Sequence, residues 1–354
     1  MSCVLVGCFL LATVAIIPVQ SQFPNACVNI DSLKNRECCP VPNGFTEPCG
    51  TDGERGDCKD ITVRQWSATY DHYNMKHQLD DRYDWPRGVF KRSCKCRSNY
   101  AGHDCSKCKY GYHGNECKQK KVLTRKNFAK MSSEEQHTFM RYMNMSRYVQ
   151  SDYSVSTAFY QDINETIHNG DDPRRSFRNV SIHELFVWLH YYTTDRKTVL
   201  PDKTVLPRMD FGHAAQGFPT WHRLYLLSWE RALQEMVGDE DYTIPFWDWT
   251  ENSDKCEICT EELLGNTSAN GDVVGKYFDD WNTICYAPGR NVTANDTKLC
   301  DPNVKTGKLK RAYGKPKSPN GVIVTFPTKK EVEFALRFET YDLPPFGLGS
   351  SCSF

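Results

Sequence analysis

Cysteine is the residue type that most constrains how this chain can fold. Seventeen cysteines occur: ten lie between Cys27 and Cys117, and four lie between Cys256 and Cys300. Even numbers of cysteines in two tight groups are typical of disulfide frameworks, which form and persist in an oxidising compartment. We therefore predict a chain of the secretory pathway with a cross-linked N-terminal segment. Cys352, near the other end of the sequence, has no evident partner.

The N-terminus and the sequons also point to secretion. An apolar run ends at Pro18 and is too short to span a bilayer comfortably, so we interpret residues 1–21 as a signal peptide. No later apolar stretch is long enough to anchor the chain in a membrane. The Asn-x-Ser/Thr sequons predict N-glycosylation at Asn144, Asn164, Asn179, Asn266, Asn291 and Asn295. Basic and acidic residues both total 44, so the net charge gives no reason to expect nucleic acid as a partner.

The segment 22–118 is rich in cysteine and shows little helical periodicity. Its last part, Cys94–Cys117, resembles an EGF-like module, with glycines at turn positions before cysteines. The alternative is a zinc module, because Cys105 and Cys108 form a Cys-x-x-Cys pair with histidines nearby. The secretory context favours disulfides over zinc.

An integrin-type tripeptide, Arg55-Gly56-Asp57, lies inside this segment. It stands one residue before a cysteine, where a turn is expected in any case. Short motifs of this kind occur often by chance. The tripeptide nevertheless leaves open a secreted, non-catalytic, disulfide-rich protein that binds a partner.

Helical signals begin after a basic linker. Serines followed three residues later by glutamate form capping boxes, which predict helices that begin after Ser132 and after Ser181. A third helix is predicted from Thr220, directly after Pro219. Beyond about residue 250 turns and cysteines dominate, with one short strand expected at Val322–Val324.

Three histidines in these helices and the loop between them suggest a metal site. His190 and His222 each lie on the apolar stripe of a predicted helix. His213 precedes His222 by nine residues, about two and a half helical turns, and Pro219 intervenes, so a loop must carry His213 back toward the helix. Three neutral imidazoles with an open position form a reactive site that suits copper, zinc, iron or nickel. Spacing alone does not separate copper from zinc.

The residues around these histidines resemble a known family. The string HAAQGFPTWHRLYLLSWE from His213 to Glu230 is similar to the first copper-binding signature of the tyrosinases and tyrosinase-related proteins. FVWLHYY around His190 and IPFWDW from Ile244 resemble neighbouring parts of animal tyrosinases, as does the cysteine-rich segment. The resemblance implies a mainly α fold: a partial four-helix-bundle type-3 copper domain over 119–354, preceded by the small EGF-like module.

The resemblance also implies an activity and its site. Two coppers, each held by three histidines, hydroxylate a phenol ortho to its OH with O₂ and oxidise the catechol to an o-quinone, as in melanin synthesis. His190, His213 and His222 are the expected ligands of the first copper. Glu230 and Asp248 are candidate acceptors for the second nitrogen of the imidazoles, and Phe218 is expected to pack beside them. A tyrosinase-related zinc protein that processes a melanin intermediate is the alternative.

The sequence departs from the family pattern in its C-terminal part. No histidine follows His222, so the second copper lacks ligands, and the chain stops at Phe354 in a stretch that resembles the region before the second metal site. We expect a partial sequence or a truncated splice product, with little phenol oxidase activity by itself. We expect the full-length parent to carry both coppers and to be located in a melanosome-like vesicle or outside the cell. The resemblance also allows that parent a membrane anchor.

Overall fold

The structure, a computed structural model, covers most of the chain. It describes residues 22–61, 88–158, 160–194, 197–199, 205–207, 218–251, 256–285, 300–311, 316–317, 322–323 and 326–338. The predicted signal peptide, His213, Asn291, Asn295 and Cys352 lie outside these residues. The predictions made for them therefore remain predictions.

Helices of moderate length and many short strands alternate along the described residues. The α-helices are α1 (Ile30–Asn35), α2 (Ser133–Met145), α3 (Tyr160–His168), α4 (Ile182–Thr194), α5 (Phe218–Val237) and α6 (Lys329–Ala335). The strands are β1 (Gln22–Pro24), β2 (Glu37–Cys38), β3 (Gly56–Asp60), β4 (Arg92–Cys96), β5 (Tyr100–Ala101), β6 (Lys107–Cys108), β7 (Tyr112–His113), β8 (Gln119–Lys120), β9 (Gln150–Ser156), β10 (Phe177–Ser181), β11 (Lys197–Val199), β12 (Val205–Pro207), β13 (Asn266–Thr267), β14 (Val273–Val274), β15 (Asn282–Ile284), β16 (Lys305–Lys308), β17 (Pro316–Lys317) and β18 (Val322–Ile323). The larger sheets among these strands have the orders β1-β9-β10 and β2-β4-β3.

Disulfides hold the N-terminal cysteine-rich module together. The pairs are Cys27–Cys38, Cys39–Cys58, Cys49–Cys94, Cys96–Cys105 and Cys108–Cys117. The predicted disulfide framework is confirmed. The zinc interpretation is wrong, because Cys105 and Cys108 each bond to another cysteine. Strands of two to five residues bury little apolar surface by themselves, and the cross-links add to their stability.

The start of the chain is built into the sheet of the following segment. β1 pairs antiparallel with β9, which also pairs with β10. Phe23 of β1 is fully buried and meets Phe177 of β10 edge-to-face, with ring centroids 4.8 Å apart. The proposed domain division after residue 118 thus separates two segments that share part of one hydrophobic core.

Two predicted helix starts are confirmed by their caps. Before α2, Ser132 Oγ accepts from the backbone N–H of Glu135, and Glu135 Oε2 accepts from the N–H of Ser132. Before α4, Ser181 and Glu184 exchange the same two hydrogen bonds, each 3.2 Å long. Each capping box satisfies N–H groups that the first turn of a helix leaves without a partner.

The helix α5 begins two residues earlier than predicted, at Phe218 rather than Thr220. Pro219 therefore lies in the first turn, where its missing N–H forfeits no hydrogen bond. The earlier start brings the carbonyl of Phe218 into the helix, where it can accept a hydrogen bond from the ring of His222, one turn later.

The helices α2, α4 and α5 pack around shared aromatic residues. Trp188 of α4 is fully buried, and Trp229 of α5 contacts both the core cluster of α4 and the one that contains Phe139 of α2. Burying large side chains of this kind stabilises the fold by about 2 kcal/mol or more each. The stripe of apolar residues predicted for α5 therefore does face the core.

The C-terminal part of the described chain is held by short hairpins and two more disulfides, Cys256–Cys259 and Cys285–Cys300. β18 confirms a strand at Val322–Ile323, whereas α6 was not predicted although a capping box at Thr328 precedes it. With this many small sheets, the predicted mainly α fold is only partly right. None of the helices in the described ranges combines the length and apolar character needed to cross a membrane.

Candidate metal centre

Two of the three predicted metal ligands lie next to each other. His190 of α4 and His222 of α5 have ring centroids 5.8 Å apart, with their planes at 70°. Two imidazoles that share one ion through bonds of about 2 Å have ring centres about 5–6 Å apart. The separation therefore fits a shared ion, and His213, the third predicted ligand, lies outside the described residues.

A backbone carbonyl orients the imidazole of His222. Its Nδ1 lies 2.9 Å from the carbonyl oxygen of Phe218, one turn earlier in α5. Because a carbonyl only accepts hydrogen bonds, this contact requires the proton on Nδ1 and leaves the lone pair on Nε2. A neutral imidazole in this tautomer is ready to bind a metal through Nε2. A helix that begins at Thr220 leaves the Phe218 carbonyl outside it, so this acceptor is not predicted from the sequence.

Aromatic rings surround the two histidines. Trp221 and Tyr225 stack with ring centroids 5.0 Å apart, and each ring lies 5.7 Å from that of His190. The Tyr225 hydroxyl donates to the carbonyl of Phe186 on α4, and burial raises its pKa. The Phe218 ring centroid is 4.3 Å from that of His222, and the residue is 47% exposed.

Glu230 and Asp248, the predicted carboxylate acceptors, have other partners in the structure. Glu230 is buried, and its Oε2 accepts from Arg125 Nε and from the backbone N–H of Ile244. Asp248 Oδ1 accepts from the backbone N–H and the hydroxyl of Thr250. The Glu230 contacts tie Arg125 and the segment after α5 to the helix, whereas the Asp248 contacts lie within that segment.

His183 lies on α4 seven residues before His190, and its ring packs away from the imidazole pair. It meets Trp281 edge-to-face with ring centroids 4.8 Å apart. Burial, together with the nearby charge of Arg147, lowers the pKa of His183 to about 4. The residue is therefore a neutral packing histidine at physiological pH.

Other combinations of potential metal ligands in the described part of the chain are accounted for by disulfides. The groups whose ligand atoms lie within 4.8 Å of one another are Cys39–Cys49–Cys94 and Glu37–Cys39–Cys58. The cysteines in both groups are disulfide-bonded and so have no thiolate to offer.

The Arg55-Gly56-Asp57 tripeptide is occupied by internal contacts. Arg55 donates to two backbone carbonyls, and Asp57 accepts from Arg97 in a bidentate pair. A side chain at Gly56 would place its Cβ 2.5 Å from Cys105 Sγ. These contacts give the tripeptide a structural role and disfavour the partner-binding alternative.

The sequons within the described residues differ in accessibility. Asn179 and Asn266 are exposed, and Asn144 is half-buried. Asn164 is half-buried on α3, and its Nδ2, the atom that a glycan would modify, donates to the carbonyl of Gly88.

Comparison with known proteins relates nearly the whole chain to one family. A family model described as the common central domain of tyrosinase matches residues 174–342, which include all three predicted ligands. The chain is 36% identical to a tyrosinase of Gallus gallus over 336 residues, which cover 94% of this chain and 61% of that protein.

Two further relatives are matched over nearly their whole length. They are a tyrosinase of Pelodiscus sinensis, 38% identical over 79% of this chain and 99% of the relative, and one of Coturnix japonica, 39% identical over 75% and 94%. The chain thus spans less than two thirds of the Gallus gallus protein and almost all of these two.

Proposed function

The chain belongs to the tyrosinase family, and on that basis we propose that the whole protein is a copper-dependent oxidoreductase of pigment synthesis. Its reactions are the ortho-hydroxylation of a phenol with O₂ and the oxidation of the catechol to an o-quinone. The observation that carries the proposal is the His190–His222 pair, at a distance that suits one shared ion.

The proposed ligands of the first copper are His190, His213 and His222. Bound copper supplies the electron transfer between O₂ and the phenolic substrate. The expected second ion needs histidines that these 354 residues do not contain, because none follows His222. The activity is therefore proposed for the whole protein.

The chain's own residues orient the ligands and shape the site. The Phe218 carbonyl keeps the proton of His222 on Nδ1, so that the lone pair of Nε2 would be free to bind the ion. The rings of Trp221 and Tyr225 pack edge-on against the ring of His190. This contact keeps water from that side of the imidazole. The exposed Phe218 ring offers an apolar surface on which the ring of a phenol can pack.

The proposed location is the secretory pathway, ending in a melanosome-like vesicle or outside the cell. Seven disulfides in the described residues require an oxidising compartment in which to form. The exposed sequons at Asn179 and Asn266 agree with passage through that pathway.

Metal loading tests the proposed site but does not by itself separate the copper oxidase from its zinc alternative, because three imidazoles bind either ion. The chain is purified, loaded with copper or with zinc, dialysed and analysed for metal. We expect His190→Ala to abolish retention and the exposed-histidine control His168→Ala to preserve it. Equal retention by His190→Ala and the unchanged chain would contradict the site.

Activity is measured on the whole protein with L-tyrosine and L-DOPA. Hydroxylation and oxidation that depend on copper and on His190 support the oxidase. If the whole protein is isolated from cells with zinc bound and oxidises neither substrate, the tyrosinase-related zinc protein is supported instead.

A further inference from the structure

The helix that carries His222 is held on two opposite sides. Arg231 follows His222 by nine residues, or about two and a half turns, and so lies on the opposite side of α5. Ser228 and Glu235 lie on the same side as Arg231, three residues before it and four after. This side, the back of α5, faces away from the imidazole pair.

The cysteine-rich module covers the back of α5. Tyr110 OH is 2.7 Å from Ser228 Oγ, and the guanidinium carbon of Arg231 lies 4.4 Å from the centroid of the Tyr110 ring. Arg231 Nη1 also donates to the carbonyl of Cys108. Ser228 and Arg231 thus both contact a short stretch of the module.

Lys107 extends the same contact. Its Nζ lies 2.7 Å from Glu235 of α5 and 3.1 Å from Asp152 of β9. The Lys107 side chain is only 23% exposed. Burial alone would lower its pKa, but the neighbouring carboxylates outweigh burial and raise it, so the lysine stays charged. One ammonium group therefore joins the module, α5 and the β1-β9-β10 sheet, the central sheet of this part of the chain.

The front of α5 packs on the helix that carries the other imidazole. Tyr225 donates to the carbonyl of Phe186 over 2.9 Å, and the two rings meet with centroids 5.4 Å apart. The helix α5 is therefore enclosed between α4 and the module. Movement of α5 away from α4, or rotation about its own axis, would break contacts on the back as well as the front.

The module is stiff where it makes these contacts. The disulfides Cys96–Cys105 and Cys108–Cys117 bracket residues 105–117, and Lys107 and Cys108 form β6 against β5. A cross-linked hairpin of this kind has few conformations available to it. It can therefore act as a rigid support for the helix it contacts.

We propose that Lys107 and Tyr110 are positioning residues for the metal site: by holding the back of α5 they set the separation of the His190 and His222 imidazoles. The proposal rests on the metal site proposed above. Direct hydrogen-bond partners of metal ligands typically change metal affinity about 10–100-fold when removed, and Lys107 and Tyr110 act on the ligands only through α5. We expect an effect at the lower end of this range, because α5 keeps its contacts with α4.

The test uses the double variant Lys107→Met/Tyr110→Ala, which leaves the sequence of α5 unchanged. Lys109→Met is the matched control, because Lys109 donates to the carbonyl of Ser98 inside the module. Each chain is titrated with Co²⁺, whose visible absorption reports coordination geometry. We expect about tenfold weaker binding and an altered spectrum for the double variant, with the control unchanged.

Hydrogen exchange of the metal-free chains provides a second readout. We expect faster amide exchange in residues 218–226 of the double variant, with exchange in α2 unchanged. Tyr110→Phe, which removes only the hydroxyl bonded to Ser228, should give a smaller effect in the same residues and guards against a double variant that fails to fold. Equal exchange in all variants, or acceleration throughout the chain, would overturn the proposal.

The outcomes separate the two proposals. If the unchanged chain binds no Co²⁺, the proposed metal site fails, and exchange in residues 218–226 alone decides the positioning role. If the unchanged chain binds Co²⁺ and the double variant binds it with the same affinity and spectrum, the positioning role is overturned while the metal site stands.

Discussion

Acidification should destabilise the fold through His183. Its ring packs on Trp281, which is 4% exposed, and Arg147 lies over the same indole, 4.5 Å from its centroid. Burial and the nearby charge of Arg147 lower the pKa of His183 from 6.5 to about 4. A proton on this ring would be both partly desolvated and close to a guanidinium group.

The direction of the effect follows from proton linkage. The unfolded chain binds the proton near pH 6.5 and the folded chain only near pH 4, so acid favours the unfolded state. The contribution of neutral His183 to stability is complete above pH 6.5 and is lost as the pH falls toward 4. Full loss corresponds to about 3 kcal/mol, and about 2 kcal/mol is lost by pH 5, at about 1.4 kcal/mol for each tenfold change in proton affinity.

The assay compares the free energy of unfolding of the unchanged chain and of His183→Gln in urea at pH 7.5, 6 and 5, with disulfides intact. The difference between the two isolates His183, because other titrating groups occur in both proteins. We expect the unchanged chain to lose about 2 kcal/mol more than the variant between pH 7.5 and 5. The substitution His168→Gln of an exposed histidine is the control. A difference that stays constant across this range would refute the reasoning.

Three further predictions concern stability and modification. Gly56→Ala should lower the free energy of unfolding by about 1–3 kcal/mol in urea, because the new Cβ would lie 2.5 Å from Cys105 Sγ; wild-type stability would show that β3 and Cys105 can move apart at little cost. Glu230→Ala should cost about 3 kcal/mol by thermal unfolding, since it leaves a buried N–H and a guanidinium without their acceptor, and a loss below about 1 kcal/mol would argue against this. Mass spectrometry after deglycosylation should find glycan at Asn179 and none at Asn164, whose Nδ2 is bonded to a backbone carbonyl; glycan at Asn164 would mean that this bond forms only after modification, or not at all.

Features that depend on neighbouring residues were predictable. The capping boxes at Ser132 and Ser181 place two helix starts correctly, because the serine and the glutamate lie one turn apart. The apolar stripes place His190 and His222 on inward faces for the same reason, since helical periodicity assigns each residue to a face. The start of α5 was predicted two residues late, because nothing within the helix marks Phe218 as its first residue.

Partners that come from distant parts of the chain were not predictable. Glu230 is a candidate acceptor for an imidazole from the sequence, but in the structure its carboxylate accepts hydrogen bonds from Arg125 and from the backbone N–H of Ile244. The tripeptide at Arg55–Asp57 has the composition of an adhesion motif, yet its side chains are bound within the module. In both cases the residue type indicates which interactions are available, and only packing selects among them.

The same distinction applies to the cysteines and to α5, the helix that carries His222. The number and spacing of the ten cysteines in the N-terminal segment predict that they are cross-linked, because thiols in an oxidising compartment form disulfides. Which cysteine joins which depends on how the loops fold back, since ten cysteines permit many connectivities. That folding also brings Lys107 and Tyr110 against the back of α5, more than a hundred residues away in sequence. No local pattern encodes such a contact, because it exists only once both segments have packed on the central sheet.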